Sequence, residues 1–132
     1  HLPKIPFDEW WPQVEAANGW VRAIQERGGD VVFYASPTSG QRRWAEEDWF
    51  PRVDYWDRMA AATTAKTLFA LDVPALRDFP LPDDSHVDFR RKPAYTNALI
   101  DALVERGWVT TATEHEADAA LAEPRQSAAP GA

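Results

Sequence analysis

The sequence predicts a single domain of the α/β class, and three observations support this prediction. Helical and strand-like segments alternate along the chain. Both strand-like segments, residues 31–35 and 67–71, are short continuous apolar runs, as is typical of strands buried on both faces of a parallel sheet. The length of 132 residues is that of one ordinary domain. We therefore expect a parallel pair of strands joined through helices.

The first helix is predicted over residues 8–27. Asp8 and Pro12 are typical of a helix start, and Gly28 with Gly29 ends the element. The strand of residues 31–35 follows, and residues 36–40 form the loop after it. Apolar residues three or four positions apart mark one face of the helix: Val14, Ala17, Val21 and Ile24.

The middle and the end of the chain continue the helical pattern. Residues 42–59 are charged and rich in tryptophan, and they predict two short helices separated at Pro51, because proline interrupts a helix. Residues 72–88 contain three prolines and predict an ordered loop without a regular element. Residues 92–106 predict the final helix, which stops at Gly107. Its apolar stripe consists of Tyr95, Ala98, Leu99, Ala102 and Leu103.

Composition and charge exclude several classes of function. The net charge of −7 argues against a grip on nucleic acid or on anionic lipid, since both require a basic face. No run of eighteen apolar residues is present, so the sequence predicts no membrane-spanning segment. Cysteine is absent, which excludes a disulfide framework and a thiolate metal site. We predict no cofactor and no bound metal.

The two ends of the chain suggest a larger context. Residues 1–109 are predicted to form the domain, whereas residues 110–132 have the Ala/Glu/Pro-rich composition of an extended, mostly irregular tail. Such a tail cannot offset roughly 1–2 kcal/mol per residue of backbone ordering by its own burial, so we expect it to lie along another surface. The sequence begins at His1 and residues 2–6 are not a signal peptide. We expect a preceding segment, which favours an extracytoplasmic or membrane-associated location.

Another polypeptide is the predicted partner. Two strands rarely form an independent sheet, so the chain is expected to supply part of a larger one. Residues 7–20 and 109–132 are predicted to contact that partner and to bury about 1,000 Å² or more. Five tryptophans favour an interface or a core over a platform for sugar or lipid: Trp10, Trp11, Trp44, Trp49 and Trp56.

The most specific local motif is Pro-Asp-Asp-Ser-His-Val-Asp, residues 82–88, which precedes the final helix. Asp83 lies three residues before His86, and a carboxylate at this spacing can hold an imidazole in one tautomer and leave its other nitrogen free as a base. One alternative is that Asp84 or Asp88 simply caps the following helix. Another is a metal cluster of His86 with the three aspartates, which requires further ligands from elsewhere.

The order of these segments resembles the C-terminal half of an SGNH/GDSL-type hydrolase over residues 7–106. The resemblance rests on Glu-Arg-Gly-Gly before Val-Val-Phe-Tyr-Ala, then Ser-Pro-Thr-Ser-Gly, and finally Pro-Asp-Asp-Ser-His-Val-Asp before Tyr-Thr-Asn-Ala-Leu. It implies a three-layer α/β/α fold of flavodoxin-like order and hydrolysis or transfer of ester-linked acyl groups. In this family the closing block supplies the triad Asp and His, which correspond here to Asp83 and His86.

The chain also departs from that family. It contains neither the Gly-Asp-Ser block of the nucleophile nor the Gly-x-Asn-Asp block of the oxyanion donors. We therefore expect His86 to act as general base toward a serine outside this chain, and the isolated chain to be inactive on activated acyl esters. The alternative is a non-catalytic accessory subunit or docking domain of a larger assembly. The only serines are Ser36, Ser39, Ser85 and Ser127.

Overall fold

The computed structural model describes residues 5–110 and confirms a mixed α/β class that is mostly helical. Two 3-10 turns, Ala70–Asp72 and Phe89–Arg91, accompany the main elements. The chain divides into two compact units between Ala98 and Leu99. The elements in chain order are α1 (Phe7–Gln25), β1 (Val32–Ala35), α2 (Gly40–Trp49), α3 (Trp56–Ala62), β2 (Lys66–Phe69), α4 (Pro74–Arg77) and α5 (Lys92–Glu105).

Strands β1 and β2 form a parallel sheet, as predicted. Val32 lies opposite Lys66 and Ala35 lies opposite Phe69. Within residues 5–110 the sheet has only these two strands, and a three-layer arrangement is not shown. All four residues of β1 are half-buried, and Leu68 is the buried residue of β2. The expectation that both strands are buried on both faces is therefore not met within residues 5–110, because the layers packed on the sheet leave all of β1 and most of β2 half-buried.

Helix α1 is hydrogen-bonded to the last residue of α3 and to the segment that follows it. Val14 and Val21 are buried, as the periodicity predicts. Between them lies the buried Asn18, whose side-chain amide donates a hydrogen bond to the carbonyl of Ala62 (3.1 Å). Gln25 exchanges two hydrogen bonds with Thr64, of 3.0 and 2.7 Å. These bonds fix the helix against the end of α3.

The segment predicted as a loop over residues 72–88 contains a helical turn, α4. Pro74 occupies its first position, where a missing backbone N–H costs no hydrogen bond. The N–H of Leu76 donates to the carbonyl of Val73 (2.9 Å), and the Leu76 side chain is fully buried. The prolines predicted an irregular segment, but one of them starts a short helix that anchors the segment in the core.

Helix α5 ends as the sequence predicts. Gly107 adopts a left-handed conformation with φ +66°, and its N–H donates to the carbonyl of Val104 (2.8 Å). The N–H of Trp108 bonds the carbonyl of Leu103 (3.0 Å), so two carbonyls of the last turn are satisfied. The predicted tail of residues 110–132, apart from Thr110, lies outside the described residues. Most of the segment predicted to contact a partner, residues 109–132, therefore also lies outside the described residues.

Several aromatic residues predicted to face a partner pack within the chain. The ring of Tyr55 lies 5.0 Å from that of Trp10 and 5.8 Å from that of Phe7. Phe7 also stacks on Trp11 at 5.4 Å, and the Arg58 guanidinium lies 4.1 Å from the centre of the Phe7 ring. A partner is not needed to explain these residues, because aromatic side chains of α1 and of the segment before α3 pack against one another.

The hydroxyls of Tyr34 on β1 and Tyr95 at the start of α5 are hydrogen-bonded to each other, and both residues are half-buried. Burial, and then the bond to Tyr95, raise the pKa of Tyr34 above its ordinary value of 10.0. The folded state thus favours the neutral form of Tyr34. The stability that this neutral phenol contributes is present below pH 10 and is lost at higher pH.

We expect Tyr34→Phe to lower the free energy of unfolding by about 1 kcal/mol, because the Tyr95 hydroxyl loses its partner. The double variant Tyr34→Phe/Tyr95→Phe should recover part of that loss, since no hydroxyl is then left unpaired. Urea unfolding measures both values. A single variant as stable as the original chain would contradict the role of the hydroxyl pair.

Candidate functional site: the Asp83 and His86 turn

Asp83 and His86 contact each other in a tight turn between α4 and α5. The His86 Nδ1 lies 2.8 Å from Oδ2 of Asp83. The other carboxylate oxygen accepts the backbone N–H groups of His86 (2.7 Å) and Ser85 (3.1 Å). The Asp83 carboxylate therefore closes the turn through one oxygen and holds the His86 ring through the other. The spacing of three residues brings the backbone N–H and the ring nitrogen of His86 within its reach. The side-chain contact predicted from the motif is present.

The electrostatics of this turn favour an ionised Asp83. The hydrogen bond from the His86 ring, followed by the backbone hydrogen bonds from His86 and Ser85, holds the pKa of Asp83 well below its ordinary value of 3.8. The His86 side chain is 82% exposed. With Nδ1 directed to the carboxylate, Nε2 is the nitrogen available as a base, and among the described residues it has no hydrogen-bond partner.

Asp84 attaches the turn to the loop that follows β1. Its carbonyl accepts the N–H of Ser39 (2.9 Å), and its carboxylate accepts the Ser39 hydroxyl (3.0 Å) and the N–H of Gln41 (3.2 Å). The carboxylate thus lies at the start of α2, where a negative charge is stabilised. The turn with His86 is consequently joined to the segment between β1 and α2, and in α/β sheets ligand crevices form among the segments that follow the strands.

Two unusual backbone conformations meet at this attachment. Asp84 has φ +64° and Gly40, the first residue of α2, has φ +48°. A Cβ atom built at Gly40 would overlap the Asp84 carboxylate. Glycine is therefore required at position 40 for two reasons, its left-handed conformation and the close approach of a charged group.

The structure also bears on the two alternative interpretations of the motif, helix capping and a metal cluster. Asp88 does cap the turn Phe89–Arg91, because its side chain accepts the N–H of Arg90 (2.9 Å). Asp84 is bound to the start of α2. The aspartates therefore point to different partners, and residues 5–110 contain no group of three or more side chains arranged to hold a metal. Capping by Asp88 and the contact between Asp83 and His86 occur together.

No described serine is placed as a nucleophile for His86. The Ser85 hydroxyl lies 3.0 Å from Nδ1, the nitrogen that Asp83 also contacts, rather than beside Nε2. Ser39 bonds Asp84, Ser36 is exposed in the loop, and Ser127 lies outside the described residues. The described residues therefore contain the contact between Asp83 and His86 without a serine beside Nε2.

A pocket of about 510 Å³ forms a second feature, which was not predicted from the sequence. The pocket is lined by Trp10 of α1, by residues of α2 and α3, by Phe69 at the end of β2 and by Leu71 in the 3-10 turn that follows. Neither Asp83 nor His86 is among the lining residues. The only sequence signal was the tryptophan-rich composition, which favoured an interface because spacing does not reveal which aromatic side chains converge.

Comparison of the chain with protein-family models, curated proteins and solved structures finds no match. Among the described helices, none combines the length and apolar character needed to cross a membrane. The geometry of the site itself is therefore the basis for a functional proposal.

The tautomer of His86 provides a direct test of the role of Asp83. We expect the neutral ring to carry its proton on Nδ1, with Nε2 as the acceptor, and Asp83→Ala to shift the population toward the Nε2–H form. Two-bond ¹H–¹⁵N NMR spectra distinguish the two forms. Asp88→Ala is the control and should leave the His86 tautomer unchanged. A predominant Nε2–H form in the original chain would contradict the orienting role.

Acid titration tests the same contact. Folding lowers the pKa of Asp83, so the stability from its carboxylate is present above pH 3.8 and is lost as the pH falls below that value. The ¹³Cγ shift of Asp83 should therefore titrate at lower pH in the original chain than in the His86→Ala variant. Equal titration midpoints would show that the ring does not stabilise the carboxylate.

Proposed function

We propose that this chain supplies the Asp/His part of an ester hydrolase or acyltransferase site in an SGNH-like domain. The observation that supports the proposal is the 2.8 Å contact between Asp83 Oδ2 and His86 Nδ1, in an exposed ring whose Nε2 has no hydrogen-bond partner among the described residues. This is the arrangement in which a carboxylate orients a histidine for general base catalysis.

In this proposal each residue has a defined task. Nε2 of His86 takes the proton of a serine hydroxyl on another polypeptide segment as that oxygen attacks the acyl carbon. The protonated ring then gives this proton to the departing alcohol, which leaves the acyl group on the serine. Nε2 next takes a proton from water or an acceptor alcohol as its oxygen attacks that acyl carbon, and returns the proton to the serine as it leaves. Asp83 holds the ring and stabilises its positive charge while the proton resides on it. The oxyanion donors belong to the same outside segment, since no matching block occurs in this chain.

The sheet geometry is consistent with a three-layer α/β/α fold completed by that segment. All four residues of β1 are only half-buried. A further strand and its covering helix would bury these apolar residues and provide the third strand that a stable sheet needs. The predicted partner is therefore a polypeptide that carries strands and the serine.

A second candidate function is a non-catalytic docking subunit. It is favoured by apolar side chains that the described residues leave uncovered: Trp20 is 70% exposed and Trp44 is 68% exposed. Large exposed aromatic side chains often mark surfaces that bind other proteins. In this case the Asp83 and His86 contact would only stabilise the turn.

The test is a comparison of two preparations. One is this chain alone, and the other is the chain combined with a polypeptide that carries the Gly-Asp-Ser and Gly-x-Asn-Asp blocks absent from it. We expect hydrolysis of p-nitrophenyl acetate only by the second. In that preparation His86→Ala and Asp83→Ala should each lower kcat about 10²- to 10⁴-fold, the usual contribution of general base catalysis. Asp88→Asn is the matched control, because asparagine also caps a helix.

Three results would contradict the hydrolase proposal. Turnover by the chain alone that His86→Ala abolishes would mean that a serine of this chain is the nucleophile. Activity of the joint preparation that survives His86→Ala would remove His86 from the mechanism. A stable complex without activity on acyl esters would favour the docking function instead.

A further inference from the structure

The 510 Å³ pocket has the size and composition of a small-molecule site. Known ligand pockets span about 300–1,000 Å³ and combine an apolar wall with a few polar groups. Here the apolar wall includes Trp10, Tyr55, Trp56 and Met59, contributed by α1, α3 and the residue before α3. These side chains offer flat rings and a flexible thioether, which suit an apolar ligand body.

Most charged groups that line the pocket are already paired. The Arg42 side chain bonds Glu46 (2.6 Å), which also accepts the Thr38 hydroxyl (2.8 Å). Arg52 makes two hydrogen bonds to Asp72, of 2.6 and 2.7 Å. The charges of these groups are therefore already neutralised within the chain, without a ligand.

Arg43 is different. Its guanidinium makes no ion pair or hydrogen bond within residues 5–110, and its Nε atom is buried without a partner. The terminal N–H groups of the guanidinium also have no acceptor within residues 5–110, so they are suited to bind an anion in the pocket that Arg43 lines. Glu47 also lines the pocket, but it is exposed, so water screens its charge. Among the described lining residues, the charged side chain that is both unpaired and only partly exposed is therefore Arg43, a cation.

We propose that this pocket binds a small carboxylate with an aromatic or aliphatic body. The guanidinium of Arg43 binds the carboxylate, because its planar fork of N–H donors matches the two oxygens. The apolar body lies against Trp10, Tyr55, Trp56 and Met59. This inference does not rest on the proposed hydrolase function, since Asp83 and His86 do not line the pocket.

Titration of the full chain with naphthalene-2-carboxylate tests the proposal, with naphthalene-2-carboxamide as the uncharged analogue. Isothermal calorimetry gives the affinities. We expect saturable binding of the carboxylate and an affinity for the carboxamide that is about 10-fold or more lower, as charged hydrogen bonds require. This comparison needs no variant. Absence of saturable binding, or equal affinity for the two compounds, would overturn the proposal.

Two arginine variants locate the site. Arg43→Gln should weaken carboxylate binding about 10-fold or more and remove the preference over the carboxamide. Arg42→Gln is the matched control from the same helix and the same pocket, and it should change the affinity less than about 3-fold, because Arg42 is already paired with Glu46. Circular dichroism checks that both variants fold. An equal loss in the two variants, or none in Arg43→Gln, would show that Arg43 is not the anchor.

Discussion

Leu76→Ala is expected to lower the free energy of unfolding by about 2–5 kcal/mol, the range for a large aliphatic residue in a well-packed core. Leu76 has no solvent-exposed surface, and it is the largest fully buried side chain among the described residues. It belongs to α4, which packs against the 3-10 turn that follows β2. Loss of this contact should loosen the whole connection from β2 to the His86 turn.

Urea denaturation monitored by tryptophan fluorescence measures the effect. Val53→Ala is the control, because Val53 is 66% exposed and its truncation should change stability by no more than about 0.5 kcal/mol. A Leu76→Ala variant within about 0.5 kcal/mol of the original chain would show that α4 does not contribute to the core as the structure indicates.

Gly40→Ala is expected to lower the free energy of unfolding by about 2 kcal/mol or more. A left-handed conformation costs a non-glycine residue roughly 1–2 kcal/mol, and the new Cβ must also displace the Asp84 carboxylate. If Asp84 moves, its bonds to Ser39 and Gln41 break, and the turn that carries His86 is released from α2. We therefore expect changed His86 NMR shifts as well as lower stability.

Gly19→Ala provides the matched control. Gly19 lies within α1 and does not have positive φ, and a Cβ atom at this position would meet no other atom within 4 Å. Alanine there should stabilise the helix by about 0.5–1 kcal/mol and leave the His86 signals in place. The same loss of stability in both variants would mean that the contact with Asp84 is not the cause.

The sequence by itself determined the features that depend on neighbouring residues. Helical periodicity and terminating glycines located α1 and α5, and continuous apolar runs located β1 and β2 to within two residues at each end. The contact between Asp83 and His86 was also predictable, because a carboxylate reaches a ring three residues later within one turn. Their part in catalysis stays a prediction.

Only the tertiary structure decided the features that join distant parts of the chain. Asp84 bonds Ser39 across 45 residues, and that contact places the His86 turn beside α2. The pocket and the unpaired Arg43 arise because α1, α2, α3 and β2 converge there. The half-burial of β1 also departs from its apolar sequence. Local hydrogen bonds and periodicity are encoded by spacing, whereas burial and long-range contacts depend on which surfaces pack together, which spacing does not specify.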